Sequence, residues 1–229
     1  MKAGHPKVLL AVGSFMKASS IPAPAVRRLS LYLRELEAMR TSDQRTVSSK
    51  QLGAALRVTP TQIRKDLAYF GQFGQPGIGY DVNELTSEIR RILGTDRTWN
   101  VILVGAGNLG MALSAYRGFA RKGFKLSAVF DDDPSKVGRP VSGVPGLQVL
   151  SMQEIGRVVE ERQVRLAIVA VPAEAAQSVA EKLVAAGVKG LLNFAPVNLN
   201  VPADVAVSAV DLAVQLEQLS FQVICARSD

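Results

Sequence analysis

Gly105, Gly107 and Gly110 stand in the stretch VGAGNLGMALSAY, residues 104–116, with the spacing G-x-G-x-x-G, and Asp131 follows 21 residues after Gly110. Glycines so spaced let the backbone come close to a pyrophosphate, whose charge the first amides of the following helix then meet. Ala106, Asn108 and Leu109 fill the rest of that loop. An acid at the end of the next strand accepts hydrogen bonds from ribose hydroxyls and repels a 2′-phosphate, which favours NAD(H) over NADP(H).

Groups able to do more than bind are few. The only histidine is His5, far upstream, and the only cysteine is Cys225, near the C-terminus with no histidine to activate it. No cluster of residues has metal-ligand spacing. Lysine or tyrosine could still move a proton, and Tyr116 lies a turn or so past the glycine loop, where an aromatic equally suits core packing. The residue set therefore favours a protein that binds a dinucleotide over an enzyme.

The elements that must hold this loop are legible. WNVILVG (99–105) is a short continuous apolar run, as in a central parallel strand, and MALSAYRGFARK after the loop is helical in pattern. KLSAVF (125–130) forms the next strand and ends at Asp131, while Asp132 and Asp133, before Pro134, suit a turn. VRLAIVAVP (164–172) with AEAAQSVAEKLVAAG, and VKGLLNFAP (188–196) with VAVSAV (205–210), continue the alternation. This pattern predicts an α/β domain with a Rossmann-like, doubly wound parallel sheet. Val171 and Pro172, and Asn193, Phe194, Ala195 and Pro196, then fall in loops at the carboxyl edge where ligands sit, although the prolines equally suit plain turns.

A length of 229 residues allows two modest domains, and a composition 48% hydrophobic and 21% charged is that of an ordinary globular chain. A single cysteine excludes an internal disulfide framework and fits a reducing cytoplasm. The basic start followed by VLLAVGSFM has the outline of a signal peptide, but the run is too short for a membrane span and no clean cleavage site follows. Residues 1–23 are expected to form a flexible tail, with Met16 an alternative start.

The net charge of +7 is confined. Residues 1–80 hold 12 Lys and Arg against 4 Asp and Glu; residues 81–229 hold 15 against 16. A basic balance restricted to one module points to a polyanionic partner. Within that module, Val26, Leu29, Leu33 and Leu36 mark one helical stripe over Pro24–Arg40. SSKQLGAALR opens a second helix at Ser48 with Gln51 three residues on, a capping box. Thr59 caps a third, with Pro60 at its first position and Gln62 two further on, running until Gly71.

Two short helices so close form a helix-turn-helix whose second member enters the major groove. Ile63 and Leu67 pack inward, which leaves Thr61, Gln62, Arg64, Lys65 and Tyr69 to meet bases and phosphates, with Ser49 and Lys50 at the start of the helix before. Gln62 suits an adenine edge, and Arg64 suits guanine or a phosphate; a solvated face is the plainer alternative for Arg64 or Lys65. GQFGQPGIGY (71–80), which includes Gln75, reads as a β-hairpin wing. In the tail, Leu212, Leu216, Leu219 and Val223 form another stripe, whose apolar face suits either a second subunit or its own domain.

The local sequences QIRKDLAYFG (62–71), GIGYDV (77–82), GAGNLG (105–110), FDDDP (130–134), KVGRPV (136–141), NFAPV (193–197) and VDLAVQLEQLSF (210–221) resemble the Rex family of redox-sensing transcriptional repressors, over about residues 24–225. The resemblance implies a winged-helix domain (24–80), a Rossmann NAD(H)-binding domain (81–209) and a swapped C-terminal dimerisation helix (210–229). It further implies a cytoplasmic homodimer with one NAD(H) per subunit, which binds double-stranded operator DNA with NAD⁺ and is released by NADH, without metal or membrane. Arg34, Tyr116 and Asp211 match the family's switch network, Asp211 coming from the partner subunit. Two positions depart from the pattern: Leu212 stands where an aromatic can pack on the nicotinamide, and Gln75–Pro76 where the wing often carries a basic residue. An NAD-dependent dehydrogenase with a basic appendage and a CoA- or nucleotide-binding module are the rival readings.

Overall fold

The structure, a computed structural model, describes residues 21–75 and 77–226. The expected tail up to residue 20, with His5 and Met16, lies outside the described residues, as does Pro76 of the wing. The chain divides into two compact units, one ending at Asp96 and the other beginning at Arg97.

The first unit comprises α1 (Ala23–Thr41), β1 (Thr46–Val47), α2 (Ser49–Leu56), α3 (Pro60–Ala68), β2 (Tyr80–Asp81) and α4 (Val82–Ile92). Helix α1 buries Leu29, Tyr32, Leu33 and Leu36, while Val26, expected on the same stripe, stays exposed. The capping box forms as read: Ser48 Oγ accepts from the Gln51 amide at 3.1 Å, and Gln51 Oε1 accepts from the Ser48 amide at 2.9 Å. Thr59 Oγ1 caps α3 by accepting from the Gln62 amide. Each such cap contributes about 1 kcal/mol. Helix α3 ends earlier than expected, because the amides of Tyr69 and Phe70 turn to carbonyls three residues back and tighten the last turn. In the wing, Gln75 and Gly79 form an antiparallel bridge, and β2 then pairs with β1, Val47 opposite Tyr80.

Helix α4 extends this unit past the expected boundary at residue 80. Its Val82, Leu85 and Ile89 are buried in the same core as Leu29, Leu36 and Ile63. Arg90 also pairs with Glu37 of α1 at 2.9 Å.

The second unit comprises β3 (Trp99–Val104), α5 (Asn108–Ser114), α6 (Gly118–Arg121), β4 (Phe124–Asp131), β5 (Val149–Ser151), α7 (Ile155–Glu161), β6 (Leu166–Val169), α8 (Ala173–Ala185), β7 (Gly190–Asn193), β8 (Ala206–Ala209) and α9 (Leu212–Cys225). The strands pair in parallel in the order β5-β4-β3-β6-β7-β8, the doubly wound arrangement of a dinucleotide fold. Strand β5 has only three residues, too few to show a period in sequence. The helix expected over MALSAYRGFARK is broken into α5 and α6.

Helices α7 and α8 cover one sheet face, through Ile155, Val158, Val159, Val179, Ala180 and Leu183. The other face is covered only in part: Met111, Leu113 and Phe119 pack over β3 and β4. Beyond Phe119 an apolar groove of about 350 Å³ remains open over β6, β7 and β8, lined by Leu126, Leu166, Leu192 and Val207. Every residue of α9 is exposed, Leu216 and Phe221 both at 67%. Among the described residues no helix is long and apolar enough to cross a membrane.

Candidate functional site

Strands β3 and β6 are neighbours at the point where the strand order reverses, and the crevice at their carboxyl ends is where such folds bind ligands. The glycine loop follows β3 and Ala170–Pro172 follows β6. The three loop glycines differ in what they do. Gly105 has φ 104°, and a Cβ there would overlap the Ala170 carbonyl oxygen. A Cβ on Gly110 would overlap the Gly105 carbonyl oxygen, so helix α5 packs on the loop only through glycine. Gly107 has no neighbour within 4 Å of where its Cβ would be. The fold needs the first and third glycines for itself; the second leaves open space beside the loop, with Ala106, Asn108 and Leu109 next to it in the chain.

Asp131 closes the loop from the side. Its Oδ2 accepts from the Ala106 amide at 2.7 Å and from Lys136 Nζ at 3.1 Å, and its Oδ1 accepts from the Asp133 amide at 2.9 Å. Burial alone would raise this carboxyl, but the two amides and the Lys136 ammonium outweigh it and hold it below the ordinary carboxylate range. A charged acid thus stands beside the glycine loop, at the end of β4. The cleft fits the dinucleotide expected of it.

Val171 lies against Gly105, and Pro172 opens α8. Asn193 is buried, with its Nδ2 donating to the Ala195 and Val197 carbonyls and its Oδ1 accepting from the Ala195 amide. Its side chain therefore shapes the loop, whereas Phe194 and Pro196 are more open and Ala195 is buried. The Phe194 amide donates to the Val169 carbonyl, which places this loop beside the end of β6.

Tyr116 follows α5, 57% exposed, edge-on to Phe119 with ring centroids 5.1 Å apart. Its ring lies over Gly118, where a Cβ would overlap it. Asp211 caps α9: its Oδ1 accepts from the Ala213 and Val214 amides at 2.9 and 3.1 Å. Leu212, the first residue of α9, is 62% exposed. Arg34 is exposed on α1 in the first unit; Tyr116 and Asp211 belong to the second.

On the helix-turn-helix, Thr61, Arg64 and Lys65 are exposed on α3, Lys50 is exposed on α2, and Gln75 is exposed in the wing. Arg64 Nη1 donates to Ser49 Oγ at 2.9 Å and joins the two helices. Tyr69 packs partly into the core. Gln62, expected at a base edge, is half-buried and donates from Nε2 to Asp66 Oδ1 at 2.7 Å. Asp66, wholly buried, also receives both Nε and Nη2 of Arg28, at 2.5 and 2.7 Å, and the Tyr32 hydroxyl at 2.6 Å. Burial would raise the Asp66 carboxyl, yet the hydrogen bonds from Arg28, Tyr32 and Gln62 keep it low; burial and then the Asp66 carboxylate push the Tyr32 hydroxyl up. Sequence reasoning missed this network. The available signal was a carboxylate placed on the apolar face between Ile63 and Leu67.

Residues 20–68 match a family model described as a putative DNA-binding protein N-terminus, and residues 96–197 match one described as a CoA binding domain. The redox-sensing transcriptional repressor Rex of Carboxydothermus hydrogenoformans is 50% identical over 208 residues, covering 91% of this chain and 99% of the relative. The Streptomyces coelicolor repressor of the same name is 45% identical over 205 residues, 90% of this chain and 78% of the relative. The chain belongs to the Rex family.

Solved Rex structures agree in fold. That of the Rex-family repressor RSP in complex with NAD⁺ and operator DNA is 37% identical with a TM-score of 0.83, covering 89% of this chain and 92% of RSP. RSP in complex with NADH is 35% identical with a TM-score of 0.79, covering 89% and 94%. As a Rex protein, this chain is a redox-sensing transcriptional repressor, a regulator and not an enzyme.

Proposed function

We propose that the chain acts as a homodimer that holds operator DNA while NAD⁺ occupies the cleft and releases it when NADH does. The observation that carries this reading is Gly107, a loop glycine that the fold does not need, open beside the charged Asp131 in a chain that also carries a helix-turn-helix. RSP, complexed with NAD⁺ and operator DNA in one structure and with NADH in another, supports it. Thr61, Arg64, Lys65 and Lys50 supply the exposed DNA contacts, with Ser49, Tyr69 and Gln75 at their margin. Gly105–Gly110, Asp131, Val171–Pro172 and Asn193–Pro196 enclose the cofactor.

The oxidised nicotinamide carries a positive charge that NADH lacks, so a carboxylate such as Asp211 can choose its partner by redox state, with Tyr116 beside it and Arg34 relaying to the DNA-binding domain. Dimerisation has its own support. A helix with seven large exposed apolar residues and a sheet face left open over β6, β7 and β8 in the same unit each call for a partner, and exchange of α9 between two copies would satisfy both. A DNA target supports a cytoplasmic location.

A gel-shift titration on a two-fold operator tests the reading. NADH should dissociate the complex, while NAD⁺ and CoA should not. Binding to DNA that ignores NADH overturns it, and release by CoA would favour the CoA-binding alternative.

A further inference from the structure

Asp131 is the residue expected to turn away a 2′-phosphate, yet it does not face the ribose position as an unpaired anion. The turn that follows β4 is folded tightly: the Asp133 amide donates to Asp131 Oδ1, and the Lys136 amide donates to the Asp133 carbonyl at 2.9 Å. This brings the Lys136 ammonium to 3.1 Å from Asp131 Oδ2 and 3.8 Å from Asp133 Oδ2. Asp132, the remaining acid of the turn, lies 3.7 Å from Lys182 of α8. The acidic run FDDDP is therefore flanked by two ammonium groups, and the one nearest the ribose-binding carboxylate is Lys136, about one third exposed.

Resting on the reading of this cleft as a dinucleotide site, we propose that Lys136 sets the margin by which it prefers NADH to NADPH. A phosphate on the 2′-oxygen would approach Asp131 and Lys136 together, so repulsion from the carboxylate is offset by attraction to the ammonium. Within a few ångströms of a protein surface a unit charge contributes enough to matter by a factor of ten or more. The unphosphorylated ribose carries no charge and senses Lys136 only through its effect on Asp131. Loss of the ammonium thus penalises the phosphorylated cofactor far more than the plain one.

Direct titration of the full-length protein with NADH and with NADPH, by calorimetry or quenching of Trp99 fluorescence, tests this. In Lys136→Met the ratio of NADPH to NADH dissociation constants should rise by about tenfold or more. Lys136→Arg, which keeps the charge, should hold the ratio near that of the parent. Asp131→Asn, which keeps Lys136 and removes the carboxylate, should lower it. A ratio unchanged in Lys136→Met overturns the proposal even if both affinities fall, since loss of a merely structural ion pair weakens both alike. If the parent protein binds neither dinucleotide, the reading of the cleft itself fails, and the proposal with it.

Discussion

Gln62 and Asp66 lie one turn apart on α3, and the Gln62 side-chain amide donates to Asp66 at 2.7 Å. The same carboxylate takes Arg28 and Tyr32 from α1, so one buried acid ties the recognition helix to the helix behind it. One of the two N–H donors of Gln62 is spent on Asp66, and that bond holds the side chain along α3.

Replacing Gln62 by alanine is therefore expected to weaken operator binding by a similar small factor for all sequences, without changing base preference. Selection from a randomised operator pool checks this; a preference lost at one base position would mean that Gln62 leaves Asp66 to read it. Arg64→Ala, by contrast, should weaken operator binding without altering NADH affinity.

The Asp66 carboxylate also ties stability to pH. Its folded pKa is depressed, so its contribution is fully present above the ordinary carboxylate pKa of about 3.9 and is lost as pH falls through the lower folded value. Asp66→Asn should be less stable than the parent at neutral pH and should lose less on acidification below about pH 4. Thermal melts from pH 7 to pH 3 report the two limbs. Tyr32→Phe, which removes one hydrogen bond to a charged group, should cost about 1.5–3 kcal/mol.

The three loop glycines should separate under substitution. The Cβ of Gly107→Val meets no neighbour within 4 Å and its methyls fill the space proposed for the pyrophosphate, so NADH binding should fall steeply with little change in melting temperature. Gly110→Ala forces a methyl into the Gly105 carbonyl and should cost about 1–3 kcal/mol of stability. Paired melting and NADH titrations distinguish them.

Gly118→Ala is compatible with the helical backbone and should not reduce stability, since alanine is the better helix former by about 1 kcal/mol. Its methyl displaces the Tyr116 ring. The NADH concentration for half-release of DNA should shift in the same direction as in Tyr116→Ala, with no further shift when the two are combined. An additive effect in the double variant would show that Gly118 acts on something other than Tyr116.

The exposed face of α9 gives a simple assay of assembly. Leu216→Lys with Leu219→Lys should convert a dimer to a monomer in light scattering and lower operator affinity by at least tenfold, as two half-sites would no longer be held together. A parent protein that is itself monomeric at micromolar concentration would contradict the dimer.

Much of this protein was determined locally, by its sequence alone. The capping box at Ser48–Gln51, the cap at Thr59, the apolar run of β3, the glycine loop and Asp131 all depend on residues close together in the chain, so spacing and propensity suffice to read them. Tertiary structure decided what depends on encounters between distant residues. It made Asp66 the partner of Arg28 and Tyr32 and tied the half-buried Gln62 to the same carboxylate; it brought α4 into the first unit; it broke the helix after the glycine loop and laid Tyr116 over Gly118. It also separated the glycines by purpose: the Ala170 and Gly105 carbonyls that require glycine at 105 and 110 reach those positions only once β3, β6 and α5 have packed. Gly107 alone of the three meets nothing from its own chain within 4 Å of a Cβ, and the cofactor site proposed above rests on that open space.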